Sequence, residues 1–257
     1  MRLTELLIIP DKNDAEREAV ATAWAASGGE VLRLGRFWDP PVLDAARVRL
    51  YGNDTFCLVL AQKLGLDLVS PADDLLARIP QPFLLRELGF TSLDALEEAF
   101  FPRFVKPLVP KLFRAAVYPD RRGLLEETAG LPPETGVMTS EIVAIQAEAR
   151  AFLLDGEIQT CALYEGGGDA TEAAAFLTRL AASVLPQTCV LDAGFVPGRG
   201  WVPIEANATW GAGLNGCDPV QVLPCILAAT RWEGSHPPKG TSDQSAPLRR
   251  PDPDRAG

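Results

Sequence analysis

Two alternating apolar segments, Val143 to Leu154 and Ile158 to Tyr164, meet across Asp155-Gly156, and no other feature constrains the fold of this chain as strongly. Successive strand side chains point to opposite faces, so alternation marks half-buried strands. Asp-Gly tolerates the positive φ angles of the tight turn that suits right-handed strand twist. Part of the body must therefore be an antiparallel hairpin. Glu148 and Arg150 stand two apart on its first strand, so they project from the same face.

The amino-terminal part has a different rhythm. Leu6 to Ile9 reads as a strand, Asp14 to Ala26 as an amphipathic helix, and Glu30 to Leu34 as a second strand. Val48 to Tyr51 is a third strand, with Gly52-Asn53-Asp54-Thr55 as turn and cap for a helix from Phe56 to Leu64, then a short strand near Leu66 to Val69. Such alternation predicts a small parallel α/β domain over residues 1–70. Leu75 to Phe101 reads as a connector, 71–103, helical in two pieces separated by Gly89-Phe90-Thr91-Ser92. A β-rich domain follows over 104–232: a strand at Phe104 to Lys106, a polar loop from Pro119 to Gly136 and the hairpin. Its second half has a helix from Thr171 to Leu185, strands Cys189 to Val196 and Trp201 to Ala206, and a helix from Pro219 to Arg231. The Pro-, Ser- and charge-rich stretch 233–257 reads as a disordered tail. The fold class is mixed α/β (α+β).

Composition removes several classes of function. The net charge of −10 disfavours nucleic acid and anionic membranes as partners, since both would repel the chain. Leu6 to Ile9 is far shorter than the roughly 20 apolar residues of a membrane span, and five scattered cysteines without a CxxC pair fit a reducing cytoplasm. The single histidine, His236, falls in the expected tail, so His-dependent hydrolases and His-ligated zinc are excluded. Chemistry must then rest on carboxylates, lysines, arginines and a hard metal ion held by oxygen.

Three groups of residues could supply it. Asp192 interrupts an apolar strand, while Glu205 and Asn207 lie two apart on the next strand and share a face. Together they offer the hard oxygen donors that Mg²⁺ takes from protein. Lys106 and Lys111 are the only lysines between Lys63 and Lys239, and an ammonium suits point-charge contact with phosphate oxygens. Glu148 and Arg150 could form a plain ion pair, or set a ribose-binding carboxylate beside an arginine that stabilises a transferring phosphoryl group.

This ordered set, K-P, then E-x6-E-x-R-x-F-x-x-D-G, then D-x12-E-x-N, resembles the ATP-grasp superfamily. It is similar in particular to a small clade marked by two arginines and a lysine, over roughly Phe104 to Arg231. The resemblance implies an ATP-grasp fold with ATP and Mg²⁺ between two β-rich subdomains. It implies nucleotide binding by Lys106, Lys111, Glu141, Val143 and Glu148, metal binding by Asp192, Glu205 and Asn207, and catalysis by Arg150, Lys106 and Arg86, the candidate second arginine. The implied activity is carboxylate–amine ligation through an acyl phosphate, with amino-acid or peptide substrates. The alternatives are a nucleotide-binding regulatory module without catalysis and phosphotransfer to a small acceptor. The chain departs from the family pattern in that Lys111 follows only five residues after Lys106, and the later segment carries Arg121-Arg122. Gly211-Ala-Gly213-Leu-Asn-Gly216 matches GxGxxG, but no βαβ unit follows, which excludes a dinucleotide-binding site, and GxxxxGK[ST] does not occur.

Overall fold

A computed structural model describes residues 3–181, 186–232 and 234. The end of the expected helix to Leu185 and the expected tail, apart from Gly234, lie outside the described residues. Strand β1 (Leu6–Pro10) leads into helix α1 (Ala15–Ala26) and strand β2 (Glu30–Leu34), then β3 (Val48–Leu50) and α2 (Asp54–Leu64). β1 pairs in parallel with both β2 and β3, giving the order β2-β1-β3. Both helices start where the sequence supplies a cap, because Asp14 accepts from Arg17 N and Asn53 accepts from Phe56 N. α1 buries Val20 and Trp24 against the sheet, each burial contributing about 1.5–3 kcal/mol.

The middle of the chain differs from expectation. After β4 (Asp67–Leu68) come only a 3₁₀ turn and the short α3 (Gln81–Leu84) before a strand, β5 (Leu88–Ser92), which spans the residues expected to separate two helices. Gly89 is the reason: a Cβ there would meet Thr139 Oγ1 at 2.7 Å, so the glycine marks close strand approach rather than a turn. β6 (Arg103–Pro107), β7 (Ala116–Tyr118), α4 (Arg121–Glu127) and β8 (Gly136–Ser140) complete a four-stranded antiparallel sheet of order β5-β8-β6-β7. α4 lies in the expected polar loop; it is capped by Asp120 and has one buried residue, Leu124, too little apolar surface to give a periodic pattern.

The second antiparallel sheet, β10-β9-β11-β12, is built from β9 (Ala147–Leu154), β10 (Glu157–Gly166), β11 (Thr188–Val196) and β12 (Gly200–Asn207), with α5 (Ala170–Ala181) on one face. The turn is as expected, with φ of 50° at Asp155 and 81° at Gly156. The first strand of the hairpin begins at Ala147, however, because residues 141–146 leave the sheet as an irregular linker. The expected final helix is shortened to α6 (Leu223–Ala228) and followed by β13 (Thr230–Arg231), which pairs antiparallel with β4. β4 therefore belongs to this two-stranded sheet and not to the parallel one.

Alternation then sorts the residues of the second sheet. Ala149, Ala151, Leu153, Leu191 and Ala193 face α5 and its core. Phe152 and Val190 face the amino-terminal unit, and Glu148, Arg150, Asp192, Glu205 and Asn207 share that opposite side by strand register.

Candidate active site

Arg150 and Asp192 are direct cross-strand partners and make the most buried ion pair of the described residues. Arg150 Nε donates to Asp192 Oδ1 at 2.8 Å and Nη2 to Oδ2 at 2.7 Å, while Nη1 donates to the carbonyl of Gly213 at 2.9 Å. The Arg150 guanidinium also lies 5.8 Å from the centre of the Tyr164 ring, within cation–π range. Burial lowers the Arg150 pKa most, but the hydrogen bonds and charge of Asp192 more than offset it, and the net shift is upward. Burial pushes the Asp192 carboxyl up; Arg150 pulls it back down and neighbouring Glu205 adds to the upward push.

The remaining groups assemble around this pair. Glu205 is the register partner of Asp192 on β12, and its Oε1 accepts from Asn207 Nδ2 at 2.9 Å. Lys106, on β6 of the facing sheet, brings its Nζ to 3.7 Å from Glu205 Oε2, so this contact spans the cleft between the two antiparallel sheets. Arg86 follows α3 and reaches the same cleft, donating to Ser140 Oγ at 3.2 Å and to the Pro203 carbonyl at 2.6 Å. Its Nη1 is buried with no hydrogen-bond partner among the described residues, and burial lowers its pKa to about 10. Glu148 accepts a short hydrogen bond from the Tyr164 hydroxyl. Glu141 accepts from the Arg199 guanidinium and, at 3.4 Å, from Glu87 N; Val143 is half-buried in the same linker.

Lys111 is not brought to this cluster. It sits on a left-handed turn, φ 66°, with its side chain 75% exposed, and its ammonium is paired with Asp54 in the first turn of α2. Sequence reasoning also passed over Tyr164 and Arg199, which complete the surroundings of Glu148 and Glu141. Pairing Tyr164 with the start of β9 would have exposed the first; nothing local marked the second.

No group of three or more His, Cys, Asp or Glu side chains gathers among the described residues. The candidate metal set is two carboxylates and an amide: Asp192, Glu205 and Asn207. That set fits Mg²⁺, which commonly takes one or two carboxylates from protein and fills its other positions with phosphate and water. Each Asp192 oxygen accepts one bond from Arg150, leaving further lone pairs.

In three dimensions the chain is similar to an ATP-grasp RimK domain protein from Sphaerobacter thermophilus DSM 20745, at 16% identity and a TM-score of 0.58, covering 87% of this chain and 100% of that one. It is also similar to D-alanine–D-alanine ligase from Bacillus anthracis, at 10% identity and TM-score 0.53, covering 88% and 97% respectively. The ATP-grasp ligase PsnB in complex with a minimal precursor gives 13% identity and TM-score 0.51, covering 88% and 99%. These likenesses define the expected ATP-grasp fold. The sequence pattern of the ATP-grasp domain, R2K clade family 2, matches residues 83–225, more than half of the chain, and the protein belongs to that family. No curated protein sequence matches it.

Proposed function

We propose that the protein is an ATP- and Mg²⁺-dependent ligase that joins the carboxylate of an amino acid or peptide to an amine through an acyl phosphate. The observation that carries this reading is the approach of Lys106 to Glu205 across the cleft, beside the Arg150–Asp192 pair and Asn207. ATP occupies the cleft between the antiparallel sheets. Glu141 and Val143 in the linker serve the base, and Glu148 the ribose. Lys106 contacts the phosphates, and Arg86, held against Ser140 and the Pro203 carbonyl, adds a second positive charge beside them. Asp192, Glu205 and Asn207 would hold Mg²⁺, which when bound would screen the phosphate oxygens and make the γ-phosphorus more electrophilic.

In the first step a substrate carboxylate oxygen bonds to the γ-phosphorus as the bond to the β–γ bridging oxygen breaks, and ADP leaves with that electron pair. Lys106 and Arg150 offset the charge that spreads over the phosphoryl oxygens, a role in which a preorganised donor contributes roughly 3–4 kcal/mol. Asp192 fixes the Arg150 guanidinium beforehand, so little reorganisation accompanies the transfer. In the second step the amine attacks the acyl carbon, phosphate departs, and the ammonium proton passes to water. Among the described residues no helix is long and apolar enough to cross a membrane, and the cytoplasm is the setting we assign to this reaction.

Purified protein mixed with ATP, Mg²⁺ and pools of amino acids and peptides should release phosphate and form an amide. Glu205→Gln and Asn207→Ala should abolish release with the fold intact. Full turnover in either variant refutes the metal assignment, and nucleotide binding without release across the screen replaces the ligase by a regulatory binding module.

A further inference from the structure

Strand β10 is irregular beside the cleft. Leu163 opposes Ala149 and Glu165 opposes Glu148, so Tyr164 is one residue more on β10 than β9 can pair. An inserted residue of this kind bends its strand and re-aims a side chain, and such bulges gather next to active sites. Gly166 closes the bulge at a φ of 70°, opposite Ala147, where a Cβ would collide with the Gln146 carbonyl. Glu165 is left exposed, whereas Tyr164 is half-buried on the side of the sheet that holds Glu148 and Arg150.

Tyr164 engages both of those residues at once. Its hydroxyl donates to Glu148 Oε2, and its ring centre lies 5.8 Å from the Arg150 guanidinium. Among the described residues no other donor reaches the Glu148 carboxylate, so Oε1 keeps its lone pairs. Burial most of all, then the hydrogen bond with Glu148 and the charges of Asp192 and Glu148, raise the phenol pKa against the opposing pull of Arg150. The hydroxyl therefore stays protonated, and towards Glu148 it acts as a donor. A long carboxylate side chain would otherwise sample several rotamers, and an acceptor fixed beforehand loses less freedom when a ligand hydroxyl binds.

We propose that Tyr164 is a positioning residue for the nucleotide: it fixes the Glu148 carboxylate so that Oε1 is left for a ribose hydroxyl, and thereby selects a ribonucleotide over a deoxyribonucleotide. Its ring steadies Arg150 in the same stroke. The assignment rests on the reading of Glu148 as the ribose carboxylate and adds the residue on which the choice of sugar depends.

The test measures binding of ATP, 2′-deoxyATP and 3′-deoxyATP to the full chain with Mg²⁺ by isothermal titration, with melting temperatures to confirm that each variant is folded. In the wild type, removing the hydroxyl that Glu148 holds should weaken binding by about ten- to a hundredfold. Tyr164→Phe keeps the ring and lacks the oxygen; it should weaken ATP by about tenfold and the affected deoxy form by less than about threefold, so the preference contracts. In a Glu148→Ala background the same substitution should change affinities by no more than about twofold, because the carboxylate it positions is gone. Tyr164→Leu removes the ring as well; it should show the same contraction and also slow phosphate release by roughly two- to fivefold. A folded Tyr164→Phe variant that keeps the wild-type preference, with or without a general loss of affinity, overturns the inference and leaves the ribose assignment standing. Equal binding of all three nucleotides by the wild type overturns the ribose assignment and the inference together, while phosphate release still decides the ligase reading. If the wild type binds none of them, the ligase reading itself falls, and the inference with it.

Discussion

Arg150→Leu leaves the Asp192 carboxylate in place with its partner gone. The pair has side-chain exposures of 10% and 2%, so solvent does little to compensate the remaining charge. Breaking a buried pair by removing one partner costs about 3–5 kcal/mol. An independent limit follows from protonation, since a folded variant can accept a neutral Asp192. Relative to an unfolded pKa of about 3.9, holding one aspartate protonated costs about 4 kcal/mol at pH 7 and about 1.5 kcal/mol at pH 5. The sign is that of a carboxyl with a raised folded pKa, which is the direction burial already gives Asp192. Such a group binds more protons folded than unfolded, so stability falls as pH rises from the unfolded value through the folded one. The destabilisation of Arg150→Leu, read from urea unfolding followed by tryptophan fluorescence, should therefore shrink by about 2–3 kcal/mol between pH 7 and pH 5. Adding Asp192→Leu should recover most of the loss at pH 7, because replacing both ions with apolar groups is often neutral or better. A pH-independent loss, or one below about 1 kcal/mol at pH 7, would mean that the pair is solvated and not buried as described.

Asn53→Ala removes the cap of α2 and should cost about 0.5–2 kcal/mol in the same unfolding assay, whereas Asn53→Asp should be nearly neutral. Glu16→Gln keeps one acceptor oxygen and loses the charge, so the Leu214 and Asn215 amides should exchange with deuterium faster by about ten- to a hundredfold, while β9 and β11 amides are unchanged. Burial pushes the thiols of Cys189, Cys217 and Cys225 up to about 12 and that of Cys161 up to about 11, and raises Cys57 as well. At pH 8 the native protein should therefore react with iodoacetamide about a hundredfold more slowly than free cysteine, and fast labelling would contradict the burial.

What could be read from the chain depended on whether a signal was local. Asp155-Gly156 states its turn in two residues, and Asp14 and Asn53 state helix starts in one. The strand spacing of Glu148 with Arg150 and Glu205 with Asn207 gave faces without a structure, but that Asp192 opposes both Arg150 and Glu205 is a matter of register between strands far apart in sequence. β5 was hidden because Gly89 serves strand contact where it resembles a break. The irregular linker was hidden for the opposite reason: Ile142 and Ile145 look like core, yet they are 51% and 39% exposed. Glu16 carried no local signal, since the loop whose amides it accepts from lies nearly two hundred residues later.

The last described strand also bears on how the polypeptide is made. β13 pairs with β4, Thr230 Oγ1 accepts from Leu50 N, Gly52 N donates to the Trp210 carbonyl, and α6 packs into the core of α1 and β1. Residues 1–70 thus lack one wall of their own interior until the stretch near 230 has left the ribosome. Synthesis from the amino end cannot finish this unit first; its completion waits on β13 and α6, which follow both antiparallel sheets in the chain.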